Sequence, residues 1–264
     1  MRCTMSWIQK LIFLGTLATL FGLAALTLEA IGQEYEPSED TTEATFEHTS
    51  EDGPTAFGVH VRNLYFKAIR GDSEALAQVL ELLEGKLAEE PDHPEALVYH
   101  GSLQLALSGN AFQKGDMEQG RSLWTEGLHE MDRAVEVAPD RLDIRIPRGA
   151  TLLFVSREVP PDRAPDLLRR SVEDYGTAYE LQKDELMMLS THSRGELLLG
   201  LADGYQRLGE TEKARDLFRQ AVETLPGTDY AQEAQAHLEA DSIRPVRLCL
   251  GCHHTEDEES VASR

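Results

Sequence analysis

From Phe57 to Ala240 the apolar residues recur at spacings of three and four, and turn signals cut the run at regular intervals. Residues three and four apart share one face of a helix, so this pattern narrows the fold more than any other feature. Val61, Leu64, Tyr65, Ala68 and Ile69 form a first stripe, and Gly71-Asp72-Ser73 breaks it and caps the next. Leu76, Val79, Leu80, Leu83 and Leu87 stripe a second helix that stops at Pro91. Ala96, Leu97, Leu103, Ala106 and Leu107 stripe a third, and Leu123, Leu128, Met131, Val135 and Ala138 a fourth, closed by Pro139. No window alternates with period two and β-branched enrichment, so the spacing predicts an all-α fold without strands.

The segment Glu196 to Pro226, ELLLGLADGYQRLGETEKARDLFRQAVETLP, is more specific. Leu198, Leu201, Ala202 and Tyr205 fall on one predicted helix and Ala214, Phe218 and Ala221 on the next. Leu208-Gly209-Glu210 supplies the tight turn and Pro226 the stop. Small Ala202 and Ala214 let the two helices approach, and Tyr205 and Phe218 fill the space beside them. The segment resembles the tetratricopeptide repeat, departing at the first position, where Leu198 stands in place of Trp.

Elsewhere the likeness is looser. Gly101, Ala134 and Pro139 fit one repeat, and Gly149 fits the small position of a first helix over 142–155. Its partner is expected over Asp166 to Leu181, after the breaker Pro160-Pro161. Gly101 to Pro139 is 38 residues and Ala202 to Pro226 is 24; the excess of 14 is expected in the loop and helix around Gly109 to Gly127. Asp229 to Ala240 reads as a capping helix.

The resemblance implies a right-handed helical-hairpin solenoid over residues 57–240, of about four hairpins plus a cap, because a hairpin with one apolar face must stack on another. It implies a concave side, lined by first helices, that binds a protein or peptide. On this chain the lining is expected from Val98, Ser102 and Leu105, then Ile146, Ala150 and Leu153, then Leu199, Asp203 and Gln206. The alternative is that these residues are plain core. Arg145, Arg148 and Arg194 stand out in an acidic chain. They either receive an anion or pair internally with Asp143, Glu196 or Asp203.

The ends of the chain differ from its middle. Residues 1–32 carry Arg2 and Lys10, then the apolar run Leu11 to Leu28, then small Ala30 and Gly32. This is the pattern of a secretory signal peptide cut before Gln33; an uncleaved membrane anchor is the rival. Either way the remainder is exported, to the periplasm, with the anchor as a membrane tether in the second case. Residues 33–56 are acidic and without apolar period, a disordered spacer by composition. The whole chain carries 25 Lys and Arg against 47 Asp and Glu, a net charge of −22. That balance repels phosphate backbones and acidic lipid, so nucleic-acid partners are set aside.

Residues 241–264 open on a linker, Asp241 to Arg247, followed by Leu248-Cys249-Leu250-Gly251-Cys252-His253-His254 and an acidic tail. Cys249, Cys252 and His253 resemble the C-x-x-C-H attachment motif of c-type cytochromes, which implies covalent haem c, with the two thiols on its vinyl groups and His253 as a metal ligand. The chain departs from that family in placing the motif at its end, with no methionine loop after it. His237, or a residue of another chain, is one source of a sixth ligand. Zinc held by Cys249, Cys252, His253 and His254, and a simple disulfide or dithiol, are the other two chemistries open to these residues.

No glycine-rich phosphate loop, nucleophile elbow or paired-histidine zinc helix is present, so no enzyme activity is expected. His100 and His129 read as partly buried structural residues, Ser190 or Thr191 as a helix cap beside His192, and Met187-Met188-Leu189 as core. Two functions fit these readings. One is a non-catalytic exported interaction scaffold carrying a C-terminal cofactor motif. The other is a periplasmic haem electron-transfer protein that docks its partner through the solenoid.

Overall fold

A computed structural model describes residues 54–240 and Val246. The predicted signal segment, nearly all of the acidic spacer, and Cys249, Cys252 and His253 lie outside the described residues. Among those residues every regular element is helical: α1 (Ala56–Ile69), α2 (Ser73–Glu89), α3 (Pro94–Gln113), α4 (Met117–Val137), α5 (Leu142–Val155), α6 (Ala164–Gln182), α7 (Thr191–Arg207), α8 (Thr211–Thr224) and α9 (Asp229–Glu239). A short 3-10 helix, Lys183–Met188, follows α6. The all-α expectation holds.

Polar side chains cap several of these helices, while α5, α6 and α8 have no side-chain cap. Asp72 Oδ1 accepts from the N–H groups of Glu74 and Ala75, both at 3.0 Å. Ser190 accepts from the Ser193 N–H at 3.1 Å, so Ser190 and not Thr191 is the cap beside His192. Thr55 accepts from the Gly58 N–H at 3.1 Å, which makes Ala56 the first helical residue. Each cap is worth about 1 kcal/mol. Gly115 and Gly209 close the α3/α4 and α7/α8 turns with φ of 82° and 83°, a left-handed conformation that side chains with a Cβ resist.

Consecutive helices pair as α1/α2, α3/α4, α5/α6 and α7/α8, and α9 lies on α8. The first members also touch in series, α1 to α3, α3 to α5, α5 to α7 and α7 to α9. Three of the four second helices bury the same small–large–small pattern at i, i+4 and i+7. The residues are Gly127, Met131 and Ala134 on α4, Ser171, Tyr175 and Ala178 on α6, and Ala214, Phe218 and Ala221 on α8. Opposite them stand Gly101, Gly149 and Ala202, all buried. A Cβ added at Gly101 would sit 2.6 Å from the Gly127 carbonyl oxygen, and one at Gly127 would sit 2.6 Å from that of Gly101. At Gly149 the carbonyl oxygen accepts from Ser171 Oγ at 2.7 Å.

The 14 extra residues lengthen helix around Gly109 to Gly127, as expected, but not the loop. The α3/α4 loop is as tight as the α7/α8 loop, and both helices grow instead. Gly101 is followed by twelve residues of α3 where Ala202 is followed by five of α7. Gly127 is preceded by ten residues of α4 where Ala214 is preceded by three of α8. Each helix therefore gains seven, close to two turns of 3.6, so the packing face is kept and Phe112 is carried out to lie over Gly120.

Two apolar clusters fill the interior. One joins α1 to α4 with part of α5, and the other joins α5 to α9 and takes in Val246. Buried charge crosses between helices. Asp174 on α6 accepts from Arg145 Nη1 at 2.9 Å, Arg148 Nε at 2.7 Å and Arg148 Nη2 at 2.8 Å. Asp132 on α4 accepts from Arg148 Nη1 at 3.0 Å and also from Arg170, tying the second hairpin to the third. Burial disfavours the charged Arg148 guanidinium, but the Asp174 and Asp132 carboxylates outweigh it and hold its pKa above the ordinary value.

Candidate functional site

The series of first helices leaves an open groove of about 540 Å³. Arg62 and Phe66 of α1, Tyr99 of α3, Ile146 and Ala150 of α5 and His192 of α7 are among its walls. Phe154, the turn residue Arg157, and Leu189 extend the lining. The volume falls within the roughly 300–1,000 Å³ of ordinary ligand clefts. A larger cavity of about 1410 Å³ lies among α1 to α5, and Tyr65, Thr151 and Phe154 line both.

Of the nine residues expected to line the groove, Ile146 and Ala150 do. Val98, Leu153, Leu199, Asp203 and Gln206 are buried outside it, and Ser102 and Leu105, also buried, line the larger cavity. The cause on α3 is a rotation of one residue, about 100° of helix. Glu95 and Tyr99 border the groove, while Val98 and Ser102 face inward, with Ser102 Oγ 3.0 Å from Thr151 Oγ1 of α5. On α7 the covering is local: Asp203 is fully buried and accepts from Arg157 Nη2 at 2.9 Å and Arg207 Nη1 at 3.5 Å.

One end of the groove is built from charge. Glu95 accepts from the Thr55 N–H at 2.8 Å, Thr55 Oγ1 at 2.5 Å and Arg141 Nη2 at 3.0 Å. Burial pushes the Glu95 carboxyl up, and these donors outweigh it and hold it below the usual range. Asp143 beside it takes Arg141 Nε at 3.0 Å, and burial pushes its carboxyl up.

At the other end the chain returns. Val246 is buried, its N–H donates to Asp203 Oδ1 at 3.5 Å, and its carbonyl accepts from Arg157 Nη2 at 3.1 Å. Val246 was expected in a linker; its burial among α5 and α7 side chains makes it part of the core. A single valine in a Pro- and Arg-containing stretch gives no periodic signal, so sequence reasoning had nothing with which to find it.

Other expectations are corrected by position. Arg145 and Arg148 do pair internally, but with Asp174 and Asp132 and not with Asp143, Glu196 or Asp203. Arg194 is buried, donates to Met187 Sδ at 3.1 Å and leaves Nε without a hydrogen-bond partner. Met187 and Met188 are 63% and 85% exposed, because the 3-10 helix turns only Leu186 inward. His129 is exposed, whereas His100 is buried with Nδ1 2.7 Å from Glu130 Oε2. His237 is stacked on Phe218 at 4.6 Å between centroids, with Nδ1 3.3 Å from Gln206 Oε1 and Nε2 3.3 Å from Glu233 Oε1. Both ring nitrogens are engaged.

Among the described residues no three His, Cys, Asp or Glu side chains are grouped to hold a metal ion, and no helix is long and apolar enough to cross a membrane. The chain has no significant match among protein-family models, curated proteins or solved structures.

Proposed function

We propose that this chain is an exported interaction scaffold of the tetratricopeptide type, without catalysis of its own. Its hairpins stack as a solenoid, and the first-helix groove grips an extended apolar peptide or an amphipathic helix. The observation that carries this reading is the groove of about 540 Å³ walled in series by α1, α3, α5 and α7. Aromatic and aliphatic side chains supply its floor, and the charged residues at its ends set the direction of a bound chain.

The test is a selection from a random peptide library on the full chain, with counter-selection on an Ala150→Glu variant of unchanged helical circular dichroism. Enrichment of apolar peptides that do not bind the variant is the expected result. Enrichment of nothing, or of peptides that bind both proteins equally, overturns the reading.

A second reading adds a cofactor. Val246 is held by Arg157 of the groove wall, and Cys249 follows it by three residues in the sequence. If Cys249 and Cys252 carry haem with His253 on the iron, the protein is a periplasmic electron carrier and the groove docks its redox partner. Mass spectrometry of the exported protein distinguishes the outcomes. A covalent porphyrin mass with a Soret band supports this reading, while a zinc ion or a loss of two hydrogens assigns a metal site or disulfide instead.

A further inference from the structure

The groove lies open beside a pinned chain, and 18 residues follow that pin. Both backbone polar groups of Val246 are held, one by Asp203 and one by Arg157. Arg157 is itself part of the groove wall. The last described residue of the chain is therefore held by a residue of the groove wall.

We infer that the first occupant of this groove is the chain's own C-terminal segment, Arg247 to Cys252, lying extended along α5. The inference rests on reading the groove as a peptide-binding surface and names what fills it. Its geometric basis is a match of repeats. Phe154, Ala150 and Ile146 succeed one another at four-residue steps, about 6 Å apart along a helix rising 1.5 Å per residue. An extended chain places alternate side chains about 6.7 Å apart on one face. Leu248 thus falls beside Phe154, Leu250 beside Ala150 and Cys252 beside Ile146. Each pairing sets an apolar or small tail residue against an apolar wall.

Tethering strengthens the match. Leu248 is two residues beyond Val246 and Leu250 four, so the segment needs at most about 14 Å of reach. A short tether holds a ligand at an effective concentration on the order of millimolar, enough to keep a weak peptide seated without an external partner at hand. In such a segment Cys249 and Gly251 lie on the face turned away from the groove, and His253 follows it.

A consequence follows for the proposed function. An external peptide must displace the segment, so groove binding and release of the cysteine motif are coupled in both directions.

Disulfide trapping in the full chain tests this. Ala150→Cys and Leu250→Cys are placed together with Cys3→Ser, Cys249→Ser and Cys252→Ser, which also removes the cofactor question. Glu118→Cys, exposed on α4, replaces Ala150→Cys in the control. Mild oxidation is expected to give an intramolecular disulfide in most molecules of the first protein and at least tenfold less in the control. Equal yields, or disulfides only between two copies, overturn the inference. Hydrogen exchange supplies a second readout in the chain with its native cysteines. Amides of 247–252 are expected to exchange several-fold faster in Ala150→Glu than in wild type, and unchanged rates count against docking. A trapped tail with a failed peptide selection rejects the external partner alone. A successful selection with no trapped tail rejects the present inference alone.

Discussion

The α3/α4 and α7/α8 hairpins bring two helices together in different ways. In α7/α8 a pair of alanines, Ala202 and Ala214, stands at the small positions and Phe218 fills the space beside them. In α3/α4 the same places are held by Gly101, Gly127 and Met131, and the helices come close enough that no Cβ fits between the backbones. The longer pair has nearly two more turns per helix to bury, which offsets the weaker helix propensity of glycine. What the two hairpins share is a small residue on each helix at the crossing with a larger side chain beside them, and not the same volume.

The comparison breaks first at the hairpin between them. Asp174→Ala would leave the Arg145 and Arg148 guanidiniums buried without their shared carboxylate. A loss of about 3–5 kcal/mol is expected, read as a fall in the urea midpoint. A loss under about 1 kcal/mol would mean that the pair does not couple α5 to α6. Next, Gly127→Val should cost about 1–3 kcal/mol or more by forcing the α3/α4 backbones apart, since even its first carbon meets a carbonyl oxygen. Unchanged melting would show that the glycine contact is dispensable. Ala202→Gly works in the opposite sense, loosening and not crowding the crossing, and about 1 kcal/mol is expected from helix propensity. Together these two substitutions, on the second helix of one pair and the first helix of the other, ask whether the two crossings have opposite tolerances.

The smallest effect depends on pH. Burial lowers the His100 pKa, but the hydrogen bond and charge of Glu130, with Glu84 and Glu126, outweigh it and leave it raised. A raised folded value means that the bond to Glu130 contributes fully below the unfolded value of about 6.5 and is lost as pH rises through the folded one. His100→Gln should therefore lower the melting temperature most near pH 5.5, with the gap narrowing toward pH 8. A gap that widens with pH would reverse the assignment.

Much of the helical order was legible in the sequence. The stripes at Val61, Val79 and Leu103, the stops at Pro91 and Pro139, and the caps at Asp72 and Ser190 are local facts about spacing and hydrogen-bonding capacity. That the extra residues go to α3 and α4, and not to their loop, was not legible. Gly109, Gly115 and Gly120 all resemble loop residues, and only the partner helix determines that Gly115 turns while the other two remain helical. The groove was legible in part. Ile146 and Ala150 were found because they share one face of α5. Phe154 and Arg157 line the same wall but were missed, as they fall where that stripe runs into the turn.

The alternation of apolar and polar residues at helical spacing by itself determined nine helices between Ala56 and Glu239, because backbone hydrogen bonding and one-sided burial are decided within a few turns. Only the tertiary structure decided which side of each helix is groove and which is core. A rotation of one residue separates Tyr99 at the groove from Val98 beneath it, and neighbouring helices set that rotation. The pinning of Val246 belongs to the same class of facts. It depends on a fully buried Asp203 and an arginine 46 residues away in sequence, a meeting that no local pattern encodes.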